Sequence, residues 1–291
     1  MATKKIEGVY APGQPHFVGD GFRVHNFIPG QRGLSMHRMD PFIMLDYNSK
    51  YVFPPSEIPK GVGVHPHKGF ETVTIAYKGR VEHGDSSGGG GVIGEGDVQW
   101  MTAASGVLHK EFHETEWSKK GGEFQMIQLW VNLPAEDKKS KAKYQAIKNS
   151  DIKRFQLENN LGEIEVIAGD YSDVKGVATT FTPINMYNLK AKKGAISHYQ
   201  FPADFNSFLI VLEGQIKVNG EQIVDTDHFA LFGNDGEDFT IEVMEDAVVF
   251  IVGGKPIGEP IAHYGPFVMN TKEEIMVAMQ EFNSGKFGNL N

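Results

Sequence analysis

The chain has 291 residues, of which 40% are hydrophobic and 22% charged, enough for one large domain or two ordinary ones. A formal net charge of −9, from 28 basic and 37 acidic residues, argues against a face built for nucleic-acid phosphates. The absence of cysteine excludes disulfides, thiolate nucleophiles and cysteine-held zinc or iron–sulfur centres, and no apolar run approaches the roughly 18 residues of a membrane span.

The N-terminus, Met1-Ala2-Thr3-Lys4-Lys5, runs into Ile6-Glu7-Gly8 rather than an apolar segment, so no secretory signal is expected and a cytoplasmic protein is. With 34 glycines and 20 phenylalanines, the chain reads as many short strands joined by tight turns. Glu71–Ala76 is rich in β-branched residues, Lys78-Gly79 is a turn, and Arg80–His83 is the returning strand. Gly88–Gly91 reads as a mobile loop, and the wider segment Asp85–Gly94 as a substrate-determining one. Val98–Thr102 and Phe124–Val131 are further strands, closed by Asn132-Leu133-Pro134. The run Lys138-Lys139-Ser140-Lys141-Ala142-Lys143 reads as a solvated linker face. A second β-rich region follows, with strands at Ile164–Ala168, Phe208–Gly214, Phe229–Gly233 and Ala247–Gly254. The two halves look like diverged copies of one unit. Thr271-Lys272-Glu273-Glu274 is a capping box opening a helix whose apolar stripe is Ile275, Met276, Met279 and Phe282. The expected organisation is an all-β pair of barrels: residues 1–134 with the metal site, a linker over 135–150, and 151–291 ending in the helix.

The chemistry concentrates between His65 and Glu111. In His65-Pro66-His67 the imidazoles stand at i and i+2, on one face of a strand and roughly 7 Å apart by the strand rise. His109 and Glu111 repeat that spacing. Brought together across a barrel, the two pairs supply three imidazoles and one carboxylate, leaving two adjacent positions open on an octahedral ion. One divalent metal is expected, Fe(II) being best suited and Mn, Ni, Co, Cu and Zn the other candidates. His83 and His113 fall outside the pattern and read as loop or rim residues; Glu71 is a candidate fifth ligand but reads rather as a residue supporting the site or the structure. Phe70, Trp100 and Met101 are candidate apolar neighbours. In the second half, His198 is followed by Gln200 where a second histidine would stand, and His228 is alone, so both read as ordinary polar residues.

His65-x-His-x3-Glu71-x7-Gly79 and Gly96-x9-Gly106-x2-His109 resemble the two cupin motifs. The fuller strings His65–Thr74, Gly96–His109, Gln128–Leu133 and Tyr264–Thr271, spread over most of the chain, resemble the pirin family. That resemblance implies a bicupin whose first barrel carries iron and whose second carries no metal, with ligands at His65, His67, His109 and Glu111. It further implies a dioxygenase acting on a flavonol such as quercetin, with O2 opening the ring and CO released, and Glu111 as base. The alternative it implies is an iron-binding redox sensor or transcriptional co-regulator acting through a protein partner, without direct contact to nucleic acid or membrane.

Overall fold

The computed structural model describes residues 2–290, and most of its elements are strands. Its three α-helices among those residues are Met36–Met39, Thr115–Lys120 and Lys272–Asn283. Two compact units form. One comprises Gln14–His37, Phe42–Asn149 and the segment from Ile257 onward; the other comprises the segment up to Gly13, Arg38–Pro41 and Ser150–Pro256. Both are cupin-type β-barrels, which makes the protein a bicupin.

Each barrel pairs a seven-stranded with a four-stranded antiparallel sheet. In the first, the large sheet runs Lys143–Ile147, Val98–Thr102, Phe70–Lys78, Gly122–Asn132, Phe42–Phe53, Phe22–Ile28, His16–Val18. The small sheet runs Gly61–His67, Val107–His113, Val81–Asp85, Gly90–Ile93. The second barrel keeps the same order, from Ile6–Tyr10 through Phe229–Phe232, Asn206–Glu213, Ala247–Gly254, Ile184–Ala191 and Gly162–Ala168 to Lys153–Gln156. Its small sheet is Ile196–Gln200, Asp238–Val243, Gln215–Val218, Gln222–Asp225.

Local sequence explains the central strands. Phe70–Lys78 has neighbours on both sides and is buried through its first seven residues, which suits alternating Val, Thr and Ile. Gly79 ends it at φ +84, where a Cβ would stand 2.5 Å from the Phe124 ring. Gly214 repeats this device at φ +77 after Asn206–Glu213, so the two halves share their turn as well as their strand order.

Several boundaries differ from the sequence expectation. Ile6–Tyr10 pairs with Phe229–Phe232 and belongs to the second barrel, not to a unit spanning 1–134. Residues 257 onward, with the C-terminal helix, belong to the first: Phe267, Met269, Ile275, Ala278 and Phe287 form one apolar cluster against Leu108. The expected linker contributes Lys143–Ile147, the edge strand beside Val98–Thr102. Lys138 is not a solvated residue. Its ammonium is buried and donates to Gly69 O (2.7 Å), Asn132 Oδ1 (2.6 Å) and Val268 O (3.1 Å). A lysine in a lysine-rich run reads as solvent-facing, and only folding brings three acceptors around this one. The Gly88–Gly91 segment is part of a hairpin, Val81–Asp85 with Gly90–Ile93, whose turn Asp85 organises by accepting from Ser87 N, Ser87 Oγ and Gly89 N. In the C-terminal helix the capping box is present, but Ile275 and Ala278 face inward while Met276 is 56% exposed.

Candidate metal centre

The Gly61–His67 strand lies antiparallel to Val107–His113 with His65 opposite His109 and His67 opposite Val107. One extra residue bulges from the Gly61–His67 strand between the His65–His109 and Val62–Glu111 pairings, re-aiming side chains at the mouth of the barrel. Gly69, at φ +89, makes the turn that returns the chain into Phe70–Lys78; a Cβ there would meet Val268 O at 1.9 Å.

These elements bring His65, His67 and His109 together, with one nitrogen from each within 4.8 Å of the others. The ring centroids are 4.7, 5.4 and 5.6 Å apart. His65 Nδ1 faces Gly63 O at 2.8 Å, which places its proton there and leaves Nε2 as a lone pair toward the cluster. His65 Nε2 and His67 Nε2 stand 2.9 Å apart, and the Gln99 amide nitrogen lies 3.3 Å from His109 Nε2. Burial, reinforced by the neighbouring imidazoles, holds His67 well below the usual histidine pKa; burial first and then His65 lower His109 to about 3. Imidazoles converging on one point, with His67 and His109 held neutral by burial, fit a divalent cation. His67 Nδ1 and His109 Nδ1 are buried with no hydrogen-bond partner among the described residues, a cost that a purely structural core would avoid.

Glu111 stands two residues beyond His109 on the same face, opposite His83 in the ladder. Its carboxylate accepts from Gln128 Nε2 at 2.9 and 3.2 Å. His83 and His113 are not rim residues. Both lie in strands and are buried. His83 Nε2 and the Tyr144 hydroxyl share a hydrogen bond of 2.8 Å, and burial lowers the histidine's pKa to about 4. His113 reaches Gly21 O at 2.8 Å amid Phe22, Phe53, Trp117 and Phe124. Both were missed because strand burial, not spacing, places them. Glu71 is buried under the Thr102 hydroxyl at 2.7 Å, and burial raises its pKa to about 7. Of the expected apolar neighbours, Phe70 lies 5.2 Å from the His67 ring. Trp100 and Met101 are buried on Val98–Thr102, and by strand alternation Trp100 points away from the face that carries Gln99. Trp130, not anticipated, stands 5.3 Å from His67 and stacks on Phe70 at 4.2 Å.

Ladder register supplies a comparison within the chain. His83 pairs with Glu111 as Val218 pairs with Ile241, each four residues past its turn glycine. His65 pairs with His109 as Tyr199 pairs with Phe239. Thr74 is flanked by Gln99 and Gln128 as Leu209 is by Ala230 and Ile251. The site positions of the first barrel therefore correspond to an apolar set, and the second barrel's core includes Tyr199, Phe201, Phe239 and Ile241. His198 and Gln200 are not the counterparts of His65 and His67: they are exposed, and the inward residues of that strand are Ser197 and Tyr199. His228 hydrogen-bonds Thr226 O at 2.9 Å.

Comparison with known proteins finds the same two barrels, although the second match runs past Pro256 into the segment that the structure places with the first. The family model described as Pirin matches residues 21–131, and that described as Pirin C-terminal cupin domain matches residues 186–288. A Pseudomonas aeruginosa protein named "Putative quercetin 2,3-dioxygenase" is 43% identical, with 98% of each chain covered. Pirin-like protein 2 of Arabidopsis thaliana is 36% identical over 89% of this chain and 79% of its own. The crystal structure of quercetin 2,3-dioxygenase from Acinetobacter baumannii superposes with a TM-score of 0.93 at 47% identity, with 100% of each chain covered.

Proposed function

The chain belongs to the pirin family, and from that premise we propose that it is a metal-dependent dioxygenase that opens the ring of a flavonol such as quercetin with O2 and releases CO. The observation that carries this reading is the cluster of three imidazoles at His65, His67 and His109; the Glu111 carboxylate, held by one amide, lies outside the group whose ligand atoms all stand within 4.8 Å of one another. His65, His67 and His109 would hold one divalent metal with Glu111 as fourth ligand, and Fe(II) is the metal best suited to imidazole and carboxylate with open positions. Such an ion supplies Lewis-acid polarisation of the substrate hydroxyl and a route for electrons to O2.

The chain's own residues do the rest. Glu111 takes the proton of the 3-hydroxyl, and Gln128, donating to both carboxylate oxygens, fixes the plane in which it is received. Trp130, backed by Phe70, gives a flat aromatic substrate a face to lie on. Its buried indole N–H, without a partner among the described residues, is a donor for a substrate oxygen. His83, beside Glu111 in the ladder and hydrogen-bonded with Tyr144, is held uncharged by burial.

The test is anaerobic loading with Fe(II), then quercetin and O2. Loss of the flavonol absorbance with equimolar CO, abolished in His65→Ala, is the expected result. Stoichiometric iron without turnover of quercetin or simpler flavonols would overturn the enzymatic reading in favour of a metal-sensing binding protein.

A further inference from the structure

The row of cross-strand neighbours that carries Gln128 continues past it. Ladder register sets Gln99 opposite Thr74, Thr74 opposite Gln128, Gln128 opposite Asp46 and Asp46 opposite Asn26. Residues directly opposite share a face of the sheet, with Cβ atoms about 4.5–5.5 Å apart. Gln99 reaches His109 and Gln128 holds Glu111, so Asp46 stands one strand further along the same inner face. The corresponding row in the second barrel is Ala230, Leu209, Ile251, Tyr187 and Val166, all within its apolar core. This barrel therefore forms without a carboxylate at that position, and Asp46 is part of what sets the barrel with the histidine cluster apart from its copy.

Asp46 is costly to hold there, and the chain uses only half of it. Burial raises its carboxyl above the usual aspartate range, against the Asn26 bond and His16. Oδ1 accepts from Asn26 Nδ2 at 2.8 Å, and that amide also donates to Ile28 O at 3.0 Å. Oδ2 meets no described residue in hydrogen-bond geometry and is not sealed from solvent. Thr74 and Gln99 are buried, whereas Asn26, Met44, Asp46, Gln128 and Trp130 are all half-buried. Met44 lies opposite Trp130, one step along the same face from Asp46 opposite Gln128. The accessible wall thus runs from an apolar pair, Trp130 and Met44, to a carboxylate with an acceptor oxygen to spare.

We propose that Asp46 is a specificity residue of the first barrel, whose Oδ2 accepts a hydrogen bond from a second hydroxyl of an aromatic substrate lying on Trp130 and Met44. The substrate class this selects is an uncharged ring system with hydroxyls at two separated positions; an anionic group placed there would face Asp46 and Glu111 together. Asp46 has this role only if the first barrel receives a hydroxylated aromatic as proposed above, whether or not it then opens the ring.

The test is binding without turnover. The full-length protein loaded with Zn(II), which has no redox chemistry with O2, is titrated with quercetin and with 3-hydroxyflavone, which carries a single hydroxyl, and flavonol absorbance gives each Kd. In Asp46→Asn the Asn26 amide keeps the side-chain oxygen where Oδ1 was, so the new NH2 group replaces the acceptor at nearly unchanged shape. Both Asp46→Asn and Asp46→Ala should weaken quercetin by about tenfold or more, the worth of a hydrogen bond to a charged group, and 3-hydroxyflavone by less than about twofold, with zinc content unchanged. Equal weakening of both flavonols, no weakening of quercetin, or no saturable binding of quercetin by the parent would each overturn the assignment. Selective weakening in a protein that, loaded with iron, never opens the ring would uphold it and remove only the dioxygenase reading.

Discussion

Gln128 and Glu71 carry the sharpest tests at the level of single residues. Gln128 donates to both oxygens of Glu111, so Gln128→Ala leaves that carboxylate free to rotate while the three imidazoles stay in place. Groups that orient a metal site typically matter by 10–100-fold. Flavonol turnover by Gln128→Ala should fall by about that factor with kcat affected more than metal content, as steady-state kinetics beside elemental analysis will show. His67→Ala and His109→Ala should instead lose tightly bound metal outright while keeping the far-ultraviolet spectrum of the parent; stoichiometric metal in both would remove the ligand assignment. Glu71 titrates differently. Its carboxyl is raised from 4.5 to about 7 chiefly by burial, so the folded chain holds that proton more tightly than the unfolded one. Charging it opposes folding: the penalty is absent below about pH 4.5, grows up to about pH 7 and is complete above. Glu71→Gln cannot charge, so it should gain stability relative to the parent between about pH 5 and pH 8, by up to ~3 kcal/mol. A difference in denaturant-derived stability that does not change across that range would show that Glu71 is not buried as described.

The C-terminal helix is the element whose placement changes the reading most. Thr271 caps it, accepting from Glu274 N at 3.2 Å while Glu274 accepts from Asn270 N and Thr271 N. The tail beyond it is joined to the metal-site strand: Ser86 Oγ donates to Phe287 O and accepts from Leu108 N, next to His109. Lys68, adjoining His67, pairs with Glu281 at 3.0 Å, with the lysine only 8% exposed. Thr271→Ala should therefore lower stability by about 1 kcal/mol, and the loss should appear in the unfolding of the metal-binding barrel, read by hydrogen exchange in Val107–His113. Loss confined to the second barrel's strands would contradict the observed packing.

On the scale of the whole molecule, the chain interleaves its two barrels. A fragment of residues 1–134 lacks the edge strand Lys143–Ile147, the buried Lys138 and the C-terminal cluster. A fragment of residues 151–291 lacks Ile6–Tyr10, which covers the edge of Phe229–Phe232. Each would expose an unpaired sheet edge. Neither should melt cooperatively by calorimetry, whereas the intact chain should; two fragments that each unfold sharply would show that the borrowed segments are dispensable.

The sequence by itself determined the double all-β architecture, the repeated strand-then-glycine turns, the capped helix and the histidine pairs, because each depends on residues close along the chain. Alternation of side chains fixes which residues share a face, and a positive-φ turn fixes where a strand must end. Only the tertiary structure decided which barrel owns each terminal segment, since strand pairing across more than 200 residues leaves no local mark. Only it showed Gln128 on Glu111, Trp130 beside His67 and Lys138 inside three oxygens. It also replaced His198 by Tyr199 as the counterpart of His65, for a one-residue shift in register reverses which side of a strand faces the core.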